Sequence, residues 1–472
     1  MKKYIAITLS TLLLSGCAWL DQEPNLPKLE LPTLEAMDGQ NQALLHEKWW
    51  ENFGDTQLNS FVEYALQNNN NLQIALINVE KFREFLNLKK SEQLPRIDGL
   101  AGVSKTHTSK NNPPSNQGAT FETYNIGLNA SFEIDIFGKL NNAKKAAFED
   151  LLRQDYLKEM IYQRVASDSV IAYYGLKSHE ELYNIAKQQF LDEEEAFRDI
   201  ENKYNNGFVS KNIYLQEISL LEMTKDNLLA QKEILDNYKT AIYLLVGKDV
   251  QEIFEASLNI IEDTKYDTFS LPVPANLPSD LLNKRADIKA AESKVKASAF
   301  NVSVARSAYF PSFSLTGNLG YVSGDLDKLV RSDSSSYGIG GNLLSPILDF
   351  GRIKASVENA KKDQQIALLE YEESIKKAFA DIKNALTSYN INKERFASQE
   401  KRYEAINEKK EISKNQYENG YISYLEYLEV RKEEQQVASL KERTKLEALR
   451  SAVNLYYNLG GGFDAANHKI EE

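Results

Sequence analysis

Cysteine is nearly absent from this sequence of 472 residues, in which Cys17 is the only example. A single thiol cannot form a disulfide within the chain, so the protein must rely on core burial and assembly for its stability. The four histidines lie far apart in the sequence, at His46, His107, His179 and His468. Because no group of them has the spacing of a metal site, we predict no metal and no cofactor.

Motifs of enzymatic chemistry are also missing. The sequence has no Gly-x-x-x-x-Gly-Lys phosphate loop and no Gly-x-Ser-x-Gly nucleophile turn. We therefore predict that the protein is not an enzyme.

Positive charge is in the minority. Without Lys2 and Lys3, which precede the predicted cleavage site described next, the chain carries 54 basic and 68 acidic side chains, a net charge of −14. Such a surface disfavours nucleic acid as a partner.

No apolar run resembles a membrane-spanning helix. The run over residues 4–14 follows two lysines and leads to Leu-Ser-Gly-Cys at 14–17, which is the order of a secretory signal. It is well short of the ~20 residues that a spanning helix needs. We predict that residues 1–16 are removed and that Cys17 is the lipidated first residue of a bacterial lipoprotein. An incidental buried cysteine is the alternative.

Proline is confined to two stretches, 24–114 and 272–346, so that 115–271 and 347–472 lack the residue that breaks helices. The two halves also share motifs at nearly constant spacing, which indicates an internal duplication. The matching segments are YNNGFVS at 204–210 and YENGYIS at 417–423, FGK at 137–139 and FGR at 350–352, and LPRI at 94–97 and FPSF at 310–313.

Heptad spacing predicts a helical hairpin in each half. Two apolar tracks flank Gly207, and the first is interrupted by a single charged residue, Glu193. The tracks are Tyr183, Ala186, Phe190, Phe197, Ile200 and Tyr204, then Leu221, Leu228, Leu235, Tyr238, Ile242 and Leu245. A helix over 139–205 would be roughly 100 Å long, so we expect helix 72–94 to stack end to end on helix 210–246 and cover the excess. The second unit repeats this with 286–310, 352–418 and 424–457.

Between the short and long helices the period changes from helical to alternating. Residues 124–136 place apolar side chains on one face and polar ones on the other, as a strand between lipid and water requires. Residues 312–321 alternate similarly, and 96–108 and 337–349 do so more weakly. An ordinary half-buried sheet is the alternative interpretation. In a bilayer, four strands would leave unpaired edges, so the barrel must be completed by other copies, of which three with twelve strands form the smallest credible ring.

These features resemble the TolC-like outer-membrane efflux factors, and more closely the lipoprotein branch that serves resistance-nodulation-division multidrug pumps. The resemblance covers nearly everything after Cys17. It rests on WENFGDTQL at 50–58 followed by Asn69 and Leu72, on LPSDLL at 277–282, and on the paired Gly-x-x-Ser turns. Lys284 and Ala286 depart from the arginine and proline that the family usually has there.

The resemblance implies a homotrimer with a twelve-strand barrel in the outer membrane of a Gram-negative bacterium and a long periplasmic α-barrel. It also implies a periplasmic adaptor and an inner-membrane resistance-nodulation-division transporter as partners, with the channel itself passive. We divide the chain into signal peptide 1–16, anchored and equatorial part 17–71, first repeat 72–247, equatorial linker 248–285, second repeat 286–460 and tail 461–472.

The candidate functional residues cluster at the two hairpin turns. Each turn sets an apolar pair between a glycine and a serine, which we expect to form the adaptor-docking tips: Gly207, Phe208, Val209 and Ser210, then Gly420, Tyr421, Ile422 and Ser423. Packing of each pair on its own hairpin is the alternative. Glu426 and Glu429 share a helical face where the first unit has Ile213 and Gln216. By resemblance, these acids and Tyr417 belong to a periplasmic gate, although acids are also favoured at a helix N-terminus.

The predicted function is therefore a passive exit channel for drugs or other small toxic compounds. Export of protein or metal by the same fold, and a structural coiled-coil lipoprotein, remain as alternatives.

Overall fold

The computed structural model describes residues 48–109, 111, 118–247 and 285–463. The predicted signal peptide, Cys17 and most of the linker, at 248–284, lie outside these residues. The elements follow in the order α1 Thr56–Asn68, α2 Asn70–Ser91, β1 Arg96–His107, β2 Thr120–Ile134, α3 Lys139–Asn205, α4 Lys211–Leu245, α5 Ala286–Ser307, β3 Ser312–Ser323, β4 Ser335–Leu344, α6 Arg352–Glu418 and α7 Tyr424–Asn458.

The two predicted hairpins are present, with α3 and α4 forming the first hairpin and α6 and α7 the second. The long helices have 67 residues each and the returning helices 35 each. No proline interrupts them, and the heptad tracks supply the seam, in which Ala186, Ile200, Leu235 and Ile242 are buried. The equal lengths in the two units confirm the duplication.

Each short helix continues the line of a returning helix. In the first unit Asn69 accepts hydrogen bonds from the first backbone N–H groups of α2, and its Nδ2 donates to the Leu245 carbonyl at the end of α4 over 2.9 Å. Gly247 lies so close to the Asn68 carbonyl that a Cβ would be 2.2 Å from it. In the second unit Arg285 Nη1 donates to the Asn458 carbonyl over 2.8 Å. The predicted end-to-end stacking is thus confirmed in both units.

The four strands form one antiparallel sheet in chain order, β1-β2-β3-β4. The central pairing of β2 with β3 joins the two units and sets Gly127 directly opposite Gly320. There the backbones approach so closely that a Cβ on Gly320 would lie 2.3 Å from the Ile126 carbonyl oxygen. Glycine at these positions therefore allows the two units to share one sheet.

The apolar side chains of the sheet are largely exposed in the described chain. They include Ile97, Val103, Ile126, Leu128, Leu319 and Ile339, the last of which is 92% exposed. A half-buried sheet of a compact domain would pack this face on helices. The exposed face therefore argues against that alternative.

The main core lies near the middle of the long helices, where the segment after Lys48 crosses them. Trp49 and Trp50 are fully buried, and Trp49 stacks on Tyr456 of α7 with 5.3 Å between ring centroids. Leu58 and Phe61 of α1 are buried in the same cluster. This segment belongs to the predicted equatorial part.

None of the helices in the described ranges has a stretch that is both long and apolar enough to cross a bilayer.

Candidate functional site at the hairpin turns

Both turns have the same backbone design. Helix α3 ends before Gly207, whose φ is +78°, and α6 ends before Gly420, whose φ is +79°. The N–H of Phe208 donates to the Lys203 carbonyl over 2.8 Å, and the N–H of Tyr421 donates to the Gln416 carbonyl over the same distance. Ser210 and Ser423 then cap the returning helices. The glycines and serines are therefore explained by helix termination and capping alone.

The apolar pairs within the turns are only partly packed. Phe208 is 80% exposed and Tyr421 is 81% exposed, whereas Val209 and Ile422 are half-buried. The structure therefore divides each predicted pair into one residue that packs on its hairpin and one that projects into solvent. In the described chain the projecting aromatic rings are the better candidates for a binding surface.

A pair of stacked tyrosines supports each turn. In the first hairpin Tyr204 stacks on Tyr214, with ring centroids 4.6 Å apart. In the second hairpin Tyr417 stacks on Tyr427, with ring centroids 5.5 Å apart and an interplanar angle of 4°. The stacks join the last turn of each long helix to the first turns of its partner and stiffen both tips.

The three predicted gate residues differ in their contacts. Tyr417 reaches the other hairpin, where Lys203 Nζ donates to its hydroxyl over 3.3 Å. Glu426 instead completes a capping box with Ser423, whose N–H and hydroxyl both donate to Glu426 Oε2 over 2.8 Å. These two hydrogen bonds, the backbone one first, lower the pKa of Glu426. Glu429 is exposed nearby. The tyrosine thus joins the two hairpins, whereas Glu426 serves its own helix.

A further connection between the hairpins involves residues that the sequence interpretation did not assign to a site. It is a buried polar cluster of Glu193 on α3, Glu217 on α4, and Tyr424 and Arg431 on α7. Arg431 Nη2 donates to Glu193 Oε2, and the Tyr424 hydroxyl donates to Glu217 Oε1 over 2.7 Å. The two glutamates are each 1% exposed. The charged residue in the apolar track, Glu193, was the one signal of this cluster in the sequence.

The cluster contains two acids and one base in a buried place. Burial, and next a hydrogen bond with Glu217, raise the pKa of Glu193 to about 7, although Arg431 opposes the shift. Burial also raises the pKa of Tyr424, which therefore remains a hydrogen-bond donor. Near neutral pH Glu193 can thus hold a proton in its hydrogen bond with Glu217, which reduces the excess of negative charge beside Arg431.

In the part of the chain that the structure describes, no three histidine, cysteine, aspartate or glutamate side chains are grouped as metal ligands.

Comparison with known proteins places both units in one family. Residues 61–248 and 277–461 match the family model described as outer membrane efflux protein. The crystal structure of the Campylobacter jejuni CmeC outer membrane channel superimposes with a TM-score of 0.88 and 29% identity, covering 95% of this chain and 96% of that chain.

Two curated relatives differ in the compounds that their names mention. The solvent efflux pump outer membrane protein SrpC of Pseudomonas putida is 26% identical over 465 residues, 97% of this chain and 98% of its own length. The cation efflux system protein CusC of Escherichia coli is 26% identical over 463 residues, 96% of this chain and 97% of its own length. Efflux is common to the two names, whereas the substrate is not.

Proposed function

Since the chain belongs to the outer membrane efflux protein family and is an efflux channel of the outer membrane rather than an enzyme, we propose that it forms the exit of a tripartite pump. In this proposal it is a passive homotrimeric conduit that carries drugs or other small toxic compounds from the periplasm to the exterior. The observation that carries the proposal is one chain that combines an exposed apolar sheet with two hairpins about 100 Å long. The first feature suits a membrane and the second suits a periplasm.

The trimer is supported by the sheet. Strands β1 and β4 are its two edges in the described chain, and unpaired edges in lipid cost several kcal/mol for each unsatisfied backbone group. Pairing β4 of one copy with β1 of the next satisfies both edges. Three copies give twelve strands, enough for an open lumen. The exposed apolar face then contacts outer-membrane lipid, and the hairpins of three chains surround a periplasmic duct.

The turns would receive the periplasmic adaptor. Three copies present six projecting aromatic rings, Phe208 and Tyr421 from each chain, together with the half-buried Val209 and Ile422. Large exposed aromatic side chains are common anchors of protein interfaces. The inner-membrane resistance-nodulation-division transporter then supplies the energy, because the proposed channel is passive.

The gate would lie at the same end. Three copies bring six carboxylates from Glu426 and Glu429 around one axis, where they repel one another unless protonated, hydrated or paired with cations. The contact of Tyr417 with Lys203 would help to hold the hairpins in the closed arrangement.

We propose further that Cys17, which lies outside the described residues, carries a lipid anchor. Its support is the signal-like segment that precedes it. Replacing Cys17 by serine should abolish incorporation of radiolabelled palmitate while leaving the folded channel intact. Labelling that persists in the variant would rule out this anchor.

The channel assignment is tested by two measurements on one preparation. The protein should co-migrate with outer membrane in a density gradient, and the purified protein should produce ion conductance in planar bilayers. A structural coiled-coil lipoprotein would give no conductance.

The substrate class is tested in a strain from which the gene has been deleted. When the chain is expressed again in this strain, resistance to solvents and drugs should return. Restored resistance to metal ions alone would instead favour the cation class that the relative CusC represents.

A further inference from the structure

The buried polar cluster lies between the two hairpins and extends from Tyr424, at the start of α7, to Glu193, further along α3. Glu193 is roughly 20 Å from the Gly207 turn at the usual rise per residue. The first hairpin contributes both acids, and the second contributes both donors, Tyr424 and Arg431. The hydrogen bonds that these two donors make to the glutamates therefore cross from one hairpin to the other.

The duplication shows that the polar residues are not required by the hairpin fold itself. At the spacing of the repeat, Glu193 and Glu217 correspond to Ile406 and Val430, and Arg431 corresponds to Ile218. These three counterparts are apolar and half-buried. An apolar seam therefore suffices in the equivalent places, and the charged set is an addition to one contact between the hairpins.

Buried charges hold two helices together only while they balance. With one proton shared by the glutamates, the cluster carries one negative and one positive charge. With both glutamates ionised, it carries an excess negative charge that is removed from water. Within the described residues no N–H or O–H group donates to the buried Glu193 Oε1. A carboxyl oxygen that bears a proton is the donor itself, and the Glu217 carboxyl group, with which Glu193 is hydrogen-bonded, is its acceptor.

Other charged groups surround the cluster on the neighbouring helices. Tyr427 of α7 faces Arg431. Lys410 of α6 lies 3.4 Å from Glu434 of α7, so its charge is paired. The groove beside the cluster is lined by further charged side chains, including Asp192, Glu195 and Asp199 of α3, Lys414 of α6, and Lys441 and Glu442 of α7. The groove contains more acids than bases. Its side chains therefore supply no excess of positive charge that could take the place of the shared proton.

We infer that the buried polar cluster is a latch that holds the two hairpins of one chain together near the periplasmic end, and that the latch is tight only while its glutamates share a proton. The inference rests on the proposed function, because it assigns to the channel a gating contact separate from the acids at the turn. Loss of the proton loosens the latch and lets the hairpins separate.

The direction of the pH dependence follows from Glu193. Its pKa is about 7 when latched and near the ordinary value of 4.5 when the hairpins are apart and the side chain is in water. The latch is therefore at full strength below about pH 4.5 and weakens as the pH rises to about 7. Over this range the ratio of joined to separated hairpins falls by up to roughly tenfold per pH unit. Above about pH 7 no further change is expected.

The experiment uses the full chain in liposomes, with spin labels at Glu195→Cys and Gln436→Cys, two exposed positions on α3 and α7. The distance between the labels is measured at pH 4.5 and pH 7.5, and conductance is recorded across the same range. We expect the protein without latch substitutions to show longer distances and a higher open probability at pH 7.5.

Three variants identify the cause. Glu193→Gln keeps the acceptor for Arg431 and mimics the protonated acid, so the hairpins should stay together at both pH values. Arg431→Met should separate them at both. The matched control is Glu194→Gln, because Glu194 is the neighbour of Glu193 on the same helix and its side chain is 41% exposed. This variant should behave like the protein without latch substitutions. Circular dichroism and the trimer band on a gel verify folding of each variant.

The outcomes separate the latch from the channel. If Glu193→Gln retains the full pH dependence, or if Arg431→Met leaves the distances unchanged, the latch is refuted even though conductance persists. If the labels respond as expected but no preparation conducts ions, the channel function fails while the latch stands.

Discussion

The two repeats share a scaffold but differ at their tips. Their long helices are equal in length, as are their returning helices, and both turns combine a left-handed glycine, a serine cap and a tyrosine stack. The first returning helix begins with Ser210 and no acid, whereas the second begins with a capping box that includes Glu426. The duplication thus preserved the backbone design, and the units diverged in their polar side chains. Differences between the hairpins therefore indicate function, whereas their similarities indicate folding.

The largest effect is expected when both projecting aromatic rings are replaced. Phe208→Asp with Tyr421→Asp should abolish export and adaptor cross-linking, because each lost anchor costs about 2 kcal/mol of binding. The single variants compare the turns: equal losses indicate equivalent docking sites, and unequal losses identify the dominant hairpin. Drug susceptibility and cross-linking are the measurements.

The control for this pair is Asn227→Asp, which adds the same charge at an exposed polar residue of α4 away from the turn and should leave export unchanged. Export that survives the double replacement would place the adaptor elsewhere on the chain.

A smaller effect is expected from the acids that only the second unit has. Glu426→Gln with Glu429→Gln should lower cation selectivity in bilayers severalfold, because six carboxylates leave the proposed gate. The pKa of Glu426 is lowered by its capping hydrogen bonds, so its contribution should persist below the pH at which an ordinary glutamate is protonated.

The reciprocal change sharpens the comparison. Ile213→Glu with Gln216→Glu gives the first unit the same acids, and the first of these substitutions would also complete a capping box with Ser210. We expect little change in selectivity, because the proposal places the second hairpin alone at the gate. A gain equal to the loss above would mean that both units line the aperture.

The smallest effect concerns the turn glycines. Gly207→Ala and Gly420→Ala should each lower the free energy of unfolding by about 1 kcal/mol, because both positions have positive φ while no neighbouring atom would meet the new Cβ. Denaturant unfolding measures the loss, and asparagine, which tolerates this conformation better, should lose less. Unequal losses would show that one turn is strained differently from the other.

Much of the scaffold was predictable because local residues determine it. The helix ends follow from glycine, serine and the absence of proline, and they fall within a few residues of the predicted ones. Strand ends were less accurate. β2 begins at Thr120 rather than 124 because it pairs with His107 of β1. It ends at Ile134 because Phe137 leaves the sheet to stack on Phe310 with 4.6 Å between ring centroids.

The candidate site was predictable only in part. The turns repeat a recognisable motif, so their location could be read from the sequence, but the exposure of Phe208 relative to Val209 depends on the hairpin's own packing. The buried polar cluster could not be assembled, because Glu193 and Arg431 are far apart in the chain and meet only through the register of one hairpin on the other. A lone charge in an apolar track was the available signal.

The joint between α4 and α2 has a mechanical consequence. Each unit consists of one unbroken rod, α3 or α6, splinted by two shorter rods placed end to end. In the first unit the two ends are connected by the hydrogen bond from Asn69 to the Leu245 carbonyl. The main core lies at the same level, because Ile242 near the end of α4 and Tyr456 near the end of α7 are both buried in it. The joint is therefore braced where it would otherwise bend, and a sideways force on the turn meets resistance there while the sheet, on the far side of the joint, stays in register.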